Sequence, residues 1–418
     1  MSCATRLLLL VALAAAVFRL PGLGYPKEEY FDEVYHAKTA LQYLNGQDPT
    51  EWVHPPTAKL LIAVGVFVFG YESWAWRLMP ALAGILLAPV FLLLARQVLA
   101  TERAALFATL LLLLDGVYLV QSRVAMTNVF AVLFQLLSAL LLLRAVLEER
   151  LALRAMTLAG LALGLALSTR WTSLWAWGFL GLVFLAVRGA RAFRPRELAL
   201  GALTFVALPV AVYLLSYVPW MRQGNCLEGE LLGGCVQAVA RKQREIWEYH
   251  ANLNATHTYF SPWWTWPWLY RPTWYFWFSG EGFVRGIVAL GNPALWWASV
   301  PVSLWALGSG IRWRDARRVF CGAGFLLLYL PWGLSPRTLN FSHYLLEAIP
   351  YACLSLGILL DRYWDRGQAV VARGYVALAA ALFLLFLPFL TAMPVPAWIW
   401  GFRFPTGGGI WTWFPSWI

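Results

Sequence analysis

Charge is scarce in this chain of 418 residues: Asp, Glu, Lys and Arg make up 13%, against 61% hydrophobic residues. A soluble globular chain carries roughly a quarter charged residues, so a water-soluble domain is excluded as the body of the protein. Cysteine is scarce too, at five residues, too few for a disulfide framework. No His/Cys cluster has zinc spacing, and neither a P-loop nor a dinucleotide-type glycine motif occurs. Heptads, internal repeats and low-complexity segments are missing. The net charge of +11 is spread over short loops, so it does not point to nucleic acid.

What is present is oil in long runs, such as "LLLLVALAAAVF" and "ALAAALFLLFLPFL". A helix needs about 20 apolar residues to cross a bilayer. The runs predict an all-α polytopic membrane protein with eleven spans, near 5–21, 77–98, 103–120, 126–147, 154–170, 172–188, 197–219, 294–311, 318–333, 343–360 and 373–393. Arg6 before a short apolar core resembles a signal peptide, but Arg19 and Leu20 stand where a cleavage site wants small residues. Arginines crowd alternate loops: Arg144, Arg150 and Arg154; Arg188, Arg191, Arg194 and Arg196; Arg312, Arg314, Arg317 and Arg318; Arg362, Arg366 and Arg373. By the positive-inside rule, these loops and the N-terminus are cytoplasmic in a plasma (inner) membrane protein, and the C-terminus lies outside. Residues 1–393 then form one transmembrane domain, and 394–418 an outer tail.

Two outer loops are substantial, at about 22–76 and about 220–293. The second holds "YFSPWWTWPWLYRPTWYFWF". Indoles favour the headgroup zone, so most of these tryptophans are expected in an interfacial belt, with a minority available to stack on sugars. Cys226 and Cys235 share this loop, in an oxidising compartment, and are candidates for a local disulfide. Cys3, Cys321 and Cys353 read as packing residues. The first loop reads as two interfacial helices. Phe31, Val34, Leu41 and Leu44 recur at helical spacing, and Pro55 and Pro56 suit the start of the second.

The first loop also carries the adjacent acids Asp32 and Glu33. They could simply complement a helix dipole. They could also do chemistry, because a membrane–water boundary shifts carboxylate pKa values. His54 follows in a proline-fixed turn. Arg77, Arg123 and Arg170 fall at the outer ends of spans, against the positive-inside trend, and guanidinium suits a lipid-linked phosphate. Asp115 is expected near the outer third, paired with one of these arginines. His257, and His343 with Glu347, are weaker candidates. "NAT" at Asn254 and "NFS" at Asn340 match a glycosylation pattern that is frequent by chance.

The ordered series "FDEVYHAKTALQYLNG…VHPPTAKLL", "WRLMPALAG", "LLDGVYLVQSRVAMTN", "LGLALSTRWTSLW", "HTYFSPWWTWPWLYRPTWYFW" and "FSHYLLEAIPY" resembles the protein O-mannosyltransferases, which are GT-C glycosyltransferases using polyprenyl-phosphate-mannose. The resemblance covers most of the chain. It implies an inverting transfer of mannose from a lipid phosphate donor to Ser or Thr of a protein, possibly during export. No metal or other cofactor is implied, and the oligomeric state is left open. It further implies Asp32 as base and Glu33 as its neighbour holding the acceptor. Arg77, with Arg123 and Arg170 less directly, would sit on the donor phosphate. His54, Asn128, His257 and His343 would position donor or acceptor. The sequence departs from the family pattern at Asn128, where an Asp is expected, and at Arg170, where Lys is frequent. The large loop lacks a β-trefoil MIR domain, which suggests a bacterial-type form. The competing readings are a GT-C enzyme moving another polyprenyl-phosphate sugar to a lipid or glycan, and a lipid-linked sugar transporter. The transporter would need broken helices or polar groups near midplane, whereas the polar groups here gather at one surface.

Overall fold

The computed structural model describes residues 3–226, 231–405 and 407–418. In chain order, α1 (Cys3–Arg19) leads to two short helices, α2 (Glu33–Leu44) and α3 (Thr57–Phe69). Then come α4 (Ser73–Val98), α5 (Glu102–Leu113), α6 (Gly116–Gln121), α7 (Asn128–Val146), α8 (Leu153–Leu167) and α9 (Ser173–Arg188). A broken stretch follows: α10 (Pro195–Ala202), a π-helical turn at Leu203–Ala207, α11 (Leu208–Ser216) and the short α12 (Val218–Trp220). The large loop holds α13 (Leu231–Asn252), and the chain continues through α14 (Pro293–Trp313), α15 (Ala316–Tyr329), α16 (Ile349–Asp365) and α17 (Ala369–Leu390). Helix therefore occupies every stretch read as a span. Among the described residues, six helical stretches are long and apolar enough to cross a membrane by length and composition. The other helices in those stretches are shorter or less apolar.

One interruption has a clear cause. Asp115 divides the stretch at 103–120 by capping α6, accepting from the Tyr118 N–H at 2.8 Å. It also accepts from the Asn292 N–H at 3.2 Å and the Trp296 indole at 2.7 Å. The expected arginine partner is not used, because neutral N–H donors at a helix start already hold the carboxylate.

Of the two loop helices, α2 packs on α3, and α3 packs on α4 through small residues. A Cβ at Gly65 would lie 2.3 Å from the Ala75 carbonyl oxygen, so only glycine allows α3 this close. On α2 the buried face is Glu33, His36, Ala37, Thr39 and Ala40, whereas Leu44 is exposed. Of the apolar stripe read from the sequence, Phe31 and Leu41 pack against the core, and Leu44 does not. Small and polar groups turn inward, because that is where their partners lie.

The tryptophan-rich loop adds a small antiparallel sheet to the helical fold: β1 (Thr273–Gly280), β2 (Phe283–Ala289) and β3 (Val395–Pro396), in that order. Aromatic residues favour strands, but the run "TWYFWF" has no polar alternation to reveal one. The hairpin turns at Glu281 and Gly282, both at positive φ (53° and 79°), as a two-residue type I′ turn demands. A bulge between Trp274 and Phe276 re-aims the intervening Tyr275. Its ring stacks on Phe31 at 4.0 Å, and its hydroxyl accepts from Gln121 Nε2 at 2.6 Å. Trp266 is buried, while Trp264, Trp268 and Trp277 are exposed, as an interfacial belt requires. Cys226 and Cys235 are joined by a disulfide, with Cα atoms 4.3 Å apart. Cys321 and Cys353 are free and buried.

Candidate active site

Asp32 occupies the N-cap position of α2 but makes no side-chain cap bond. The dipole-capping role is thus structurally available and unused. The preceding residue, Phe31, sits at φ 53°, a left-handed conformation that costs a non-glycine residue on the order of 1–3 kcal/mol. The aromatic packing around Phe31 holds it there. Tyr275 stacks on it, and Phe341 and His343 meet it edge-on at 6.0 Å each. This kink separates the two acids. Asp32 lines a cavity of about 520 Å³, and Glu33 does not.

Glu33 is fully buried. Its carboxylate takes Arg77 Nε at 2.8 Å, Arg77 Nη2 at 2.7 Å and the Ala125 N–H at 2.9 Å. Arg77 also donates to the carbonyls of Leu23 (3.1 Å), Pro26 (2.6 Å) and Glu28 (3.0 Å). All five guanidinium N–H donors are thereby spent, and Arg77 is 0% exposed. Arg123 donates through Nη1 to the carbonyls of Phe18, Arg19 and Pro21, where α1 ends. Neither arginine reaches the cavity. The donor-phosphate role implied for both, and the acceptor role implied for Glu33, find no free atom there.

Arg170 does line the cavity, with Asn128, His54 and His257. Its Nη1 donates to Asn128 Oδ1 at 2.6 Å, its Nε lies 3.5 Å from Glu347 Oε1, and its guanidinium covers the Tyr344 ring at 4.5 Å. Asparagine at 128 orients Arg170 without cancelling its charge, which an aspartate would do. Glu347 is in turn held by Gln135 Nε2 at 2.9 Å and by the Thr172 hydroxyl. His257 accepts from the Tyr259 N–H at 3.1 Å and packs edge-on against Phe341. His343 lies off the cavity, buried and stacked on Phe341, with no hydrogen-bond partner on either ring nitrogen among the described residues.

The cavity is also lined by Glu51, His36, His250 and Arg337, none of which the sequence marks as a site residue, although His36 shares the polar face of the first loop helix with Asp32. Arg337 donates to the Leu339 carbonyl at 2.7 Å and meets His250 Nδ1 at 3.2 Å. It was detectable in principle, as an arginine in the non-basic stretch "LSPRTLNFSH". Of the loop's tryptophans, none lines the cavity; Trp52, Tyr249, Phe341 and Tyr344 supply the aromatic wall.

The electrostatics follow from this layout. Burial pushes the Asp32 carboxyl up to about 6, and the negative Glu51 adds to the shift, while Arg337 and Arg170 oppose it. Burial pushes His54 down to about 3 and His36 and His250 to about 4, against the pull of Glu51. Against the cost of burial, Lys59 and His54 hold Glu51 well below the usual carboxylate range, and burial lowers His257 too. Near neutral pH the cavity lining therefore holds two carboxylates, of which Asp32 has raised basicity, two arginines and four uncharged imidazoles.

The helical fold is that of the GT-C glycosyltransferases, and its cavity brings the Asp32 carboxylate together with Arg170 and Arg337. Residues 9–74 and 68–222 match the family described as Dolichyl-phosphate-mannose-protein mannosyltransferase, and residues 236–401 match the C-terminal four TMM region of protein-O-mannosyltransferase. The chain belongs to the protein mannosyltransferase family. It is 28% identical to the polyprenol-phosphate-mannose--protein mannosyltransferases of Mycolicibacterium smegmatis (98% of this chain, 92% of the relative) and Mycobacterium tuberculosis (98% and 91%). In fold it is similar to the S. cerevisiae protein O-mannosyltransferase Pmt1-Pmt2 complex bound to the sugar donor (TM-score 0.82, 15% identity, 100% of this chain and 93% of that one). ArnT from Cupriavidus metallidurans bound to undecaprenyl phosphate is a more distant match (TM-score 0.54, 19% identity, 92% and 71%).

Proposed function

We propose that the cavity transfers mannose from a polyprenyl-phosphate carrier to Ser or Thr hydroxyls of a protein, on the outer face of the membrane, with inversion at the anomeric carbon. The relatives' names specify this donor and a protein acceptor, and they do not favour a lipid or glycan acceptor. The observation that carries the site assignment is Asp32: a carboxylate released from helix capping, facing a cavity that also holds Arg170 and Arg337. The hydroxyl oxygen attacks the anomeric carbon as the bond from that carbon to the phosphate oxygen breaks. The hydroxyl proton passes to Asp32, whose pKa of about 6 suits a base near neutral pH. The polyprenyl phosphate leaves as an anion. Arg170 keeps the donor-phosphate role expected of it, Arg337 joins it in place of Arg77 and Arg123, and no metal is used. Glu33 and Arg77 form the strut beneath Asp32. The N-terminus is cytoplasmic and the cavity opens on the opposite side, where exported acceptors emerge.

The test uses purified protein in lipid nanodiscs, polyprenyl-phosphate-mannose labelled in the sugar, and Ser/Thr peptides. The wild type should mannosylate peptide, and Asp32→Asn should lose transfer while still binding donor. Near-normal turnover by Asp32→Asn overturns the base assignment. Wild-type transfer to lipid but not to peptide overturns the acceptor.

A further inference from the structure

Glu51 lies in the loop between α2 and α3 and is 6% exposed. A buried carboxylate is costly unless it is paired and hydrogen-bonded, and Glu51 is both. Its Oε1 accepts from His54 Nδ1 at 2.7 Å and from the His54 N–H at 3.1 Å. Its Oε2 is paired with the buried Lys59 ammonium, and His36 Nδ1 lies 3.7 Å away. Lys59 also donates to the carbonyls of Glu51 (2.9 Å) and His54 (2.7 Å). The Glu51 N–H donates to Thr39 on α2 at 3.1 Å. The loop "EWVH" is thus clamped at both ends. It is also tied across the cavity, because His250 Nε2 donates to the Val53 carbonyl at 2.9 Å and so keeps Nδ1 as an acceptor for Arg337.

This clamp decides the polarity of His54. An ionised carboxylate can only accept, so the imidazole proton sits on Nδ1 and Nε2 carries a lone pair. No hydrogen bond from the described residues reaches His54 Nε2, and the ring lines the cavity with 21% of its side chain exposed. A neutral ring with a bare Nε2 repels a phosphate oxygen and takes an N–H or O–H donor. The acceptor hydroxyl has a single proton, which Asp32 takes. The donors left are the hydroxyls of the transferred mannose and the peptide N–H groups of an extended acceptor segment, and separate KM values for donor and peptide tell these two apart.

We propose that Glu51 is a positioning residue which, through His54, holds Nε2 as a fixed hydrogen-bond acceptor for a backbone N–H of the acceptor protein. His54 therefore belongs to the acceptor side of the cavity, and Arg170 and Arg337 to the donor side. The inference rests on the mannosyl-transfer reading above.

The experiment measures KM for peptide and for donor separately, in wild type, Glu51→Gln/Lys59→Met, His54→Ala and the triple variant. Replacing Glu51 and Lys59 together avoids stranding a buried ammonium. About a tenfold rise in peptide KM is expected in the first variant and in His54→Ala, with donor KM unchanged. The triple variant should be no worse than His54→Ala, because Glu51 acts only through that ring. A rise in donor KM instead, or multiplying effects in the triple variant, overturns the proposal. Selective 15N-histidine labelling gives a readout independent of turnover, with five histidines in the chain. His54 should show a protonated Nδ1 in the wild type and lose that fixed tautomer in Glu51→Gln/Lys59→Met; an Nε2-protonated wild type also overturns it. A wild type that fails to transfer mannose to peptide sinks the functional reading itself and leaves the tautomer result to stand or fall alone.

Discussion

Asp32 and Glu33 are neighbours in sequence with the same chemistry, yet the fold uses them in opposite ways. Glu33 is sealed against Arg77, with every donor of that arginine spent. The Asp32 side chain makes no cap hydrogen bond to its own helix and faces a cavity. The strained φ at Phe31 turns one carboxylate outward and leaves the next to anchor the loop to α4. A saturated pair provides rigidity. An unsaturated acid with incompletely committed cations provides chemistry. The same contrast divides the arginines, with Arg77 and Arg123 bound to backbone carbonyls and Arg170 and Arg337 left on the cavity wall.

The contrast breaks most visibly in turnover. Asp32→Asn should lower peptide mannosylation by roughly 10²–10⁴-fold, the usual worth of a general base. A comparable loss in Glu33→Gln with an unchanged melting temperature would erase the distinction between the two acids. In Arg77→Ala, chemical denaturation should show a loss of about 3–5 kcal/mol, the cost of stranding a buried carboxylate. If that variant folds normally and loses only donor affinity, Arg77 is a ligand and not a strut. Arg170→Gln and Arg337→Gln should each reduce kcat by about 10²-fold, in the range for a lost charge stabiliser; stability should be nearly unchanged in Arg337→Gln and lowered in Arg170→Gln, which also breaks the buried pair with Glu347. The rate should fall about tenfold per pH unit below about 6 as Asp32 protonates, a limb that a pH–rate profile resolves. The smallest effect is thermal. Because the folded-state pKa of Asp32 is raised from 3.8 to about 6, its contribution to stability is present at low pH and lost as pH rises through about 6. Asp32→Asn should therefore melt slightly higher than wild type at pH 7.5, and the difference should vanish below pH 4.

Much of this was legible in one dimension. Apolar runs marked the helical stretches, because crossing oil requires continuous hydrophobicity and internally satisfied backbone. The ordered motifs marked the family. Asp32, Arg170, His54 and Asn128 were singled out and do share one cavity. What stayed hidden was which charged groups are already satisfied. Arg77 and Arg170 look alike as arginines at span ends, and only the carbonyls of Leu23, Pro26 and Glu28 around Arg77 tell them apart. Glu51 carried no motif, and its importance comes from Lys59, His54 and His36 converging on one carboxylate. The β-hairpin was masked by an all-aromatic run.

The sequence by itself determined that the protein lives in a membrane, that it folds as helices, and that it belongs to the mannosyltransferases, since hydrophobic length and ordered motifs are properties of the chain. Only the tertiary structure decided which acid is free, which arginines keep charge to offer and which way His54 points. Those depend on hydrogen-bond saturation, and a donor is saturated only by partners that folding brings from distant parts of the chain.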